Sequence, residues 1–267
     1  MFTLSNFVQF GIKQALCCIF PVVIFLTLAA SKLIHIPFLY RYDFILLVCL
    51  LAQFFMLYFK LETVDELKVI TVFHLIGLCL ELYKVHMGSW AYPEYALSKF
   101  GGVPLYSGFM YASVASYICQ AWRRFDLRFI NWPSNYITYP FAVSIYLNFF
   151  THHYIFDLRW VIMLLMLVFF LKVKVEFKVQ KQYFGMPVIL SFLLIGFFIW
   201  VAENISTFFG AWRYPNQAQV WQMVHIGKIS SWFLLVIISI IIVANLKHIK
   251  YGAGKAIYDT ERVLELE

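Results

Sequence analysis

The chain has 267 residues, of which 63% are hydrophobic and 13% charged, with a mean hydropathy of +0.78. Soluble domains carry roughly 25% charged residues, so the composition excludes an ordinary water-soluble enzyme. The formal charge of +7 does not indicate a nucleic-acid partner, because the basic residues punctuate the gaps between apolar runs and form no basic face.

In chain order, eight apolar runs are predicted as membrane-spanning helices, at 14–31, 43–59, 67–85, 103–122, 136–152, 159–173, 185–204 and 227–246. Unbroken runs such as 44–59 and 160–171 favour helices over the short alternating strands of a membrane barrel. The first run ends in Leu28-Ala29-Ala30, a faint likeness of a signal-peptidase site, but its length and Pro21 favour an uncleaved anchor. The connecting segments are too short to house a domain. Cys17, Cys18, Cys49, Cys79 and Cys119 all lie inside apolar runs, without metal-ligand spacing, and read as packing residues.

Orientation follows from the basic residues. With the N-terminus in the cytoplasm, the inner segments collect Lys13, Lys60, Lys68, Arg123, Arg124, Arg128, Lys172, Lys174, Lys178, Lys181, Lys247, Lys250, Lys255 and Arg262, fourteen of 21. The other side holds Lys32, Arg41, Lys99, Arg159 and Arg213. Both termini are expected in the cytoplasm of a bacterial cell, with the chain multi-pass in the plasma membrane.

One motif occurs twice. Glu81 is followed by Gly88, Ser89, Trp90, Tyr92 and Pro93, and Glu203 by Gly210, Ala211, Trp212, Tyr214 and Pro215. The pattern E-x6-G-[SA]-W-x-Y-P thus recurs at an offset of 122 residues. Pro21 with Pro140, and His35-x5-Arg41 with His153-x5-Arg159, are weaker echoes. The implied fold class is all-α and polytopic, with two four-helix pseudo-repeats at 1–128 and 129–248 and a cytoplasmic tail at 249–267. Since each half has an even number of spans, the axis relating them runs along the membrane normal.

Ionisable residues inside a membrane are functional candidates by default, and most gather at one depth. Glu81, Lys84 and His86 close the third span, Glu203 and Asn204 the seventh, and His152, His153 and Asp157 the fifth. His225 and Lys228 open the eighth span, and Ser107 and Tyr111 the fourth. The inner ends show only ordinary snorkelling lysines and arginines. Gly77, Gly108, Ala112 and Ser116 are small enough to let helices approach closely. Glu81 with Lys84 and Glu203 with Lys228 also read as plain internal ion pairs. Trp90, Trp212, Tyr92 and Tyr214 read either as interfacial anchors or as the wall of a binding site. No cofactor motif is present. His152, His153 and Asp157 are weak metal candidates, because adjacent helical histidines point about 100° apart.

The stretches Glu81-Leu-Tyr-Lys-Val-His-Met-Gly-Ser-Trp-Ala-Tyr-Pro-Glu94, Gly101-Gly-Val-Pro-Leu-Tyr-Ser-Gly-Phe-Met-Tyr-Ala112 and Gln120-Ala-Trp-Arg-Arg-Phe-Asp126 closely resemble the uncharacterised bacterial integral membrane family that includes YoaT. A more distant likeness is to membrane carotenoid hydratases and the small lycopene cyclases, through Glu81, Gly88, Trp90, Tyr92, Gly102, Val103 and Pro104. The second half departs from it, with Val224-His225-Ile226 where Gly-Val-Pro falls.

The functional expectation is a membrane-embedded enzyme doing acid–base chemistry on a lipid or isoprenoid, in a polar pocket facing outward. Glu81, Glu203, Lys228, His225 and His86 are its catalytic candidates. Trp90, Tyr92, Ser107, Tyr111, Trp212, Tyr214 and Asn204 are candidates for substrate binding, and the rings of Trp90, Trp212, Tyr111 and Phe109 for carbocation stabilisation. The alternatives are a proton-coupled transporter or solute-binding protein, and a structural or sensory component. Membrane lipids are the expected partners, and the oligomeric state is left open.

Overall fold

The computed structural model describes residues 3–34 and 36–244, so His35 and the expected tail at 249–267 lie outside the described residues. Among the described residues the chain forms nine α-helices. They are α1 Leu4–Cys17, α2 Ile19–Leu33, α3 Arg41–Tyr58, α4 Val64–His86, α5 Ser107–Phe125, α6 Asn135–Thr151, α7 Arg159–Phe170, α8 Val188–Phe208 and α9 Lys228–Ala244. Every predicted apolar run falls on a helix, and the first falls on two. Pro21 lies in the first turn of α2 and has no N–H for the carbonyl of Cys17, and the chain bends there by 64°.

Helices α3, α4 and α8 are long and apolar enough to cross a membrane, and the bent α1–α2 pair makes a fourth if it is one span. Helix α7 has 12 residues, about 18 Å at 1.5 Å per residue, short of a hydrocarbon core of roughly 30 Å. Helix α5 differs for another reason. Thirteen of its 19 residues are buried, so its surroundings are protein and it tolerates Ser107, Ser113, Ser116 and Gln120. Residues 103–106, predicted as the start of this span, are not helical. They belong to a hairpin of β1 Lys99–Phe100 and β2 Val103–Pro104. Its two-residue turn is Gly101-Gly102, with φ +55° and +82°, the conformation that selects glycine in tight hairpins.

The centre of the molecule is the α4–α5 pair. A Cβ on Gly77 would lie 2.5 Å from the Tyr111 ring, and one on Gly108 would lie 2.7 Å from the His74 ring. Both glycines therefore let the helix axes approach closely, as their small size suggested. Helix α4 begins with a capping box, Thr63 with Glu66, which satisfies two of its free N–H groups.

The sequence reading missed a three-stranded antiparallel sheet, order β3-β4-β5, formed by β3 Arg128–Ile130, β4 Lys174–Val179 and β5 Gln182–Pro187. Val175, Phe177 and Val179 alternate inward along β4, and Phe177 meets Phe10 of α1 and Phe125 of α5. The Lys13 ammonium ties α1 to this region through the carbonyls of Arg124 and Lys178, at 2.7 and 2.9 Å. The bundle thus has a sheet end and an opposite end, where both E-x6-G-[SA]-W-x-Y-P motifs lie.

The tight α4–α5 contact gives a test. Overpacking a close helix contact costs about 1–3 kcal/mol, so Gly77→Val is expected to lower the thermal midpoint of the detergent-solubilised protein. A midpoint equal to wild type would mean that the Tyr111 ring moves aside freely.

Candidate functional site

The two copies of the motif adopt the same local structure. After α4, the Ser89 N–H donates to the Lys84 carbonyl (2.9 Å) and the Gly88 N–H to Val85 (3.0 Å). After α8, Ala211 donates to Ser206 (2.9 Å) and Gly210 to Thr207 (2.9 Å). This pair of bonds closes a helix by a Schellman turn, which needs a left-handed residue. Gly88 and Gly210 supply it, with φ +68° and +70°. The extended segments that follow then pair antiparallel. Ala91 and Arg213, which are counterparts at the 122-residue offset, exchange two backbone hydrogen bonds of 2.9 Å.

This pairing brings the motif aromatics over two buried carboxylates, Glu81 and Glu203, each 3% exposed. Glu81 accepts hydrogen bonds from Trp90 Nε1 (2.6 Å), the Tyr92 hydroxyl (2.8 Å) and the Tyr111 hydroxyl (2.8 Å). Glu203 accepts from the Tyr214 hydroxyl and from Trp232 Nε1, the latter at 2.6 Å. Burial first, and the neighbouring carboxylates second, hold the Tyr92 and Tyr214 hydroxyls well above the ordinary tyrosine pKa, so they remain donors. Of the aromatics read either as interfacial anchors or as a binding wall, Trp90, Tyr92 and Tyr214 donate directly to the glutamates. Trp212 is buried beside them.

Neither expected ion pair forms. Among the described residues no carboxylate lies within 4.0 Å of Lys84 or Lys228. The Lys228 ammonium instead lies 5.3 Å from the Trp90 ring centre and 4.8 Å from that of Tyr214, a cation–π arrangement. It interacts electrostatically with both Glu203 and Glu81, and those carboxyls with each other. Lys84, three residues after Glu81, turns to the end of α6, where its Nζ meets His152 Nε2 (3.3 Å) and His153 Nε2 (3.0 Å). His152 Nδ1 lies 3.0 Å from the Asn148 carbonyl, which assigns the proton to Nδ1 and leaves Nε2 to accept from the lysine. Burial, then the charge of Lys84, lowers the His153 pKa, in keeping with a neutral ring.

The two histidines, weak metal candidates from the sequence, cradle a lysine. Asp157 pairs with Arg159 (3.2 Å) and accepts from Asn148 (3.0 Å). Among the described residues no group of three or more His, Cys, Asp or Glu converges as metal ligands. Other candidates stand apart from the carboxylates. His86 and His225 are exposed, and His225 Nδ1 accepts from the backbone of Gly227 (3.1 Å). Asn204 ties down the chain before α9, accepting from the Val224 N–H at 2.9 Å. Ser107 is fully buried, with its hydroxyl unpartnered among the described residues. Phe109 packs on His74, at 4.5 Å between ring centres.

Two features escaped the sequence reading. Trp232 lies one helical turn after Lys228 and could have been flagged by that spacing. The second is a buried polar cluster toward the sheet end, where only snorkelling residues were expected. Glu62 and Glu66 are 3% and 2% exposed. Glu62 accepts from Gln53 (2.5 Å) and from the Ser116 hydroxyl, and Glu66 faces Arg123 at 3.4 Å. Gln120 and Arg123 both donate to the Leu61 carbonyl. In sequence these carboxylates sit in or next to the short connection between two apolar runs. Burial under α5 makes them something else.

The fold and site define a helical protein, with three or four helices apolar enough to cross a membrane, built around two buried carboxylates with tryptophan and tyrosine donors. Residues 6–240 match the family described as "Protein of unknown function (DUF817)", and the chain belongs to that family. It is 58% identical over 250 residues to the "Uncharacterized protein YoaT" of Bacillus subtilis (strain 168), covering 94% of this chain and 95% of that protein. No solved structure matches it.

The cluster toward the sheet end carries a pH prediction. Burial, with Glu66 adding to it, pushes the Glu62 carboxyl above its ordinary pKa, against the pull of Ser116, Gln53 and Arg123. Its folded-state pKa lies above the unfolded value. The protein is therefore relatively favoured below the unfolded pKa of about 4.3 and loses that advantage as pH rises through the folded pKa. Glu62→Gln is expected to raise the thermal midpoint at pH 8 and to give a smaller gain at pH 5. A gain that does not change with pH would refute this account.

Proposed function

We propose that this protein is a multi-pass membrane enzyme that moves a proton to and from a lipid or isoprenoid, using Glu81 and Glu203. In this reading all eight apolar segments cross the bacterial plasma membrane, the short α7 by local thinning of the bilayer, in two four-helix halves related by a pseudo-twofold axis. Both termini are cytoplasmic, and the motif end faces outward. The matched hydrogen bonding of the two motifs supports the halves, and the charge bias of the connections supports the orientation.

The observation that carries the chemistry is the setting of Lys228. The faces of Trp90 and Tyr214 already hold a positive charge beside two buried carboxyl groups. Rings that bind an ammonium bind a carbocation by the same quadrupole. A protonated Glu81 or Glu203 delivers its proton to one carbon of an alkene, forming a C–H bond and a cation at the other carbon. The cation is quenched when a neighbouring carbon loses a proton to the second carboxylate, which gives isomerisation or cyclisation, or when water adds and loses a proton, which gives hydration. Lys228, by favouring the ionised form of one glutamate, divides the acid and base roles. The distant likeness to carotenoid hydratases and lycopene cyclases motivates the choice of an isoprenoid.

A second reading, a proton-coupled transporter, draws on the polar cluster of Glu62, Glu66, Gln53 and Arg123. Together with Glu81 it gives α4–α5 buried polar groups toward both ends, as a translocation path requires.

In untargeted lipid mass spectrometry, cells lacking the protein are expected to accumulate a lipid or isoprenoid that wild type clears. Removing a general acid or base costs about 10²–10⁴-fold in rate, so Glu81→Gln or Glu203→Gln should fail to clear it. Full turnover by both variants would end the proton-transfer reading. For the second reading, cysteines placed at Ser107 and Ser116 are expected to label from opposite sides of the membrane. Labelling from one side only would count against transport.

A further inference from the structure

Helices α7, α8 and α9 leave a groove of about 350 Å³ between them, lined by Trp160, Met163, Leu167, Leu193, Ile229 and Phe233 among others. That volume is within the range of small-molecule sites, roughly 300–1,000 Å³. The groove is apolar along its length, and its polar rim is Ser230. Arg159 reaches this rim and donates to the Ser230 hydroxyl at 3.2 Å. Arg159, Lys84 and Lys228 interact electrostatically with one another. Of the three, only Arg159 has a carboxylate partner within 4.0 Å among the described residues, Asp157. Three like charges at one end of an apolar bundle are costly. The nearest other carboxyls, Glu81 and Glu203, are already occupied by neutral donors.

We propose that this groove seats the hydrocarbon tail of a lipid phosphate, with the phosphate held by Arg159, Lys84 and Lys228. The inference rests on the proton-transfer reading, because a protonated glutamate leaves the cluster with net positive charge for the phosphate to neutralise. Arg159 offers the planar donor fork that suits phosphate, and the two lysines add point charges. A tail in the groove runs along α7 and α8 and brings the carbons near the headgroup toward Trp90, Tyr214 and the carboxyls. The substrate class is thereby narrowed from any lipid or isoprenoid to one with a phosphate head.

The test is native mass spectrometry of the purified full chain with phosphatidic acid, with diacylglycerol and with inorganic phosphate. Phosphatidic acid is expected to bind one to one, about tenfold or more tighter than diacylglycerol, and Arg159→Gln with Lys84→Gln should remove that difference. Arg159→Lys should largely restore it, and Leu193→Trp, which fills the groove, should weaken both lipids. Equal binding of phosphatidic acid and diacylglycerol, or binding unchanged in the double variant, overturns the proposal. Inorganic phosphate competing as well as the lipid would leave a free-anion site in its place. Binding of phosphatidic acid is expected to survive Glu81→Gln with Glu203→Gln, which abolishes proton transfer. Loss of the headgroup site with turnover still dependent on glutamate would leave the acid–base reading standing. Retained binding with turnover independent of both glutamates would leave only the site.

Discussion

A carboxyl group inside an apolar bundle has to be supplied with hydrogen-bond donors, and this structure supplies two of them without using a single cation at bonding distance. Glu81 draws on Trp90 and Tyr92 from the segment that follows its own helix, and on Tyr111 from α5. Glu203 draws on Tyr214 from the equivalent segment and on Trp232 from α9. A buried acceptor left without partners costs about twice what the bond returns, and more when it is charged. Meeting that demand fixes where each loop folds back, and it ties α4 to α5 and α8 to α9.

The same requirement accounts for the motif. Glycine ends the helix in a left-handed turn, and the extended residues that follow reverse over the helix end, carrying their aromatic rings to the carboxylate. When two such segments meet, each has an edge to pair, and Ala91 and Arg213 pair with one another. The two sites are nevertheless unequal. At the 122-residue offset the counterpart of Lys228 is Tyr106, whose hydroxyl donates to the Ala211 carbonyl (2.5 Å). The counterpart of Lys84 is Ser206. Each of these two positions therefore carries a lysine in one motif neighbourhood and a neutral hydroxyl in the other. That inequality gives the two like carboxyls different electrostatic surroundings.

Toward the sheet end the same principle is met differently. Glu66 has an arginine partner and Glu62 has an amide and a hydroxyl, so a charged and a neutral solution sit side by side. Helix α5 is common to both ends. Its Tyr111 serves Glu81 and its Ser116 serves Glu62, which is why it is the most polar helix and the most enclosed.

Hydropathy is a local property, and the positions of the helices were legible from it, since each apolar run carries a helix over most of its described residues. The E-x6-G-[SA]-W-x-Y-P pattern was legible for the same reason, because a Schellman turn and the strand after it are set by neighbours in the chain. The strand β4 was legible in principle through its alternating Val175, Phe177 and Val179, but an apolar run directly before it obscured the change of period. What the sequence could not decide was the partner of each charge. Glu81 and Lys84 share a helix face by spacing, yet they point to different neighbours, because α5 with the motif loop packs on one side and the end of α6 on the other. Glu62 lies in a connecting segment that becomes buried only under α5, and Trp232 gains its meaning only when α9 lies against α8. Partner choice and burial depend on which helices pack together, and in this protein close approach at Gly77, Gly108 and Gly196 decides that packing.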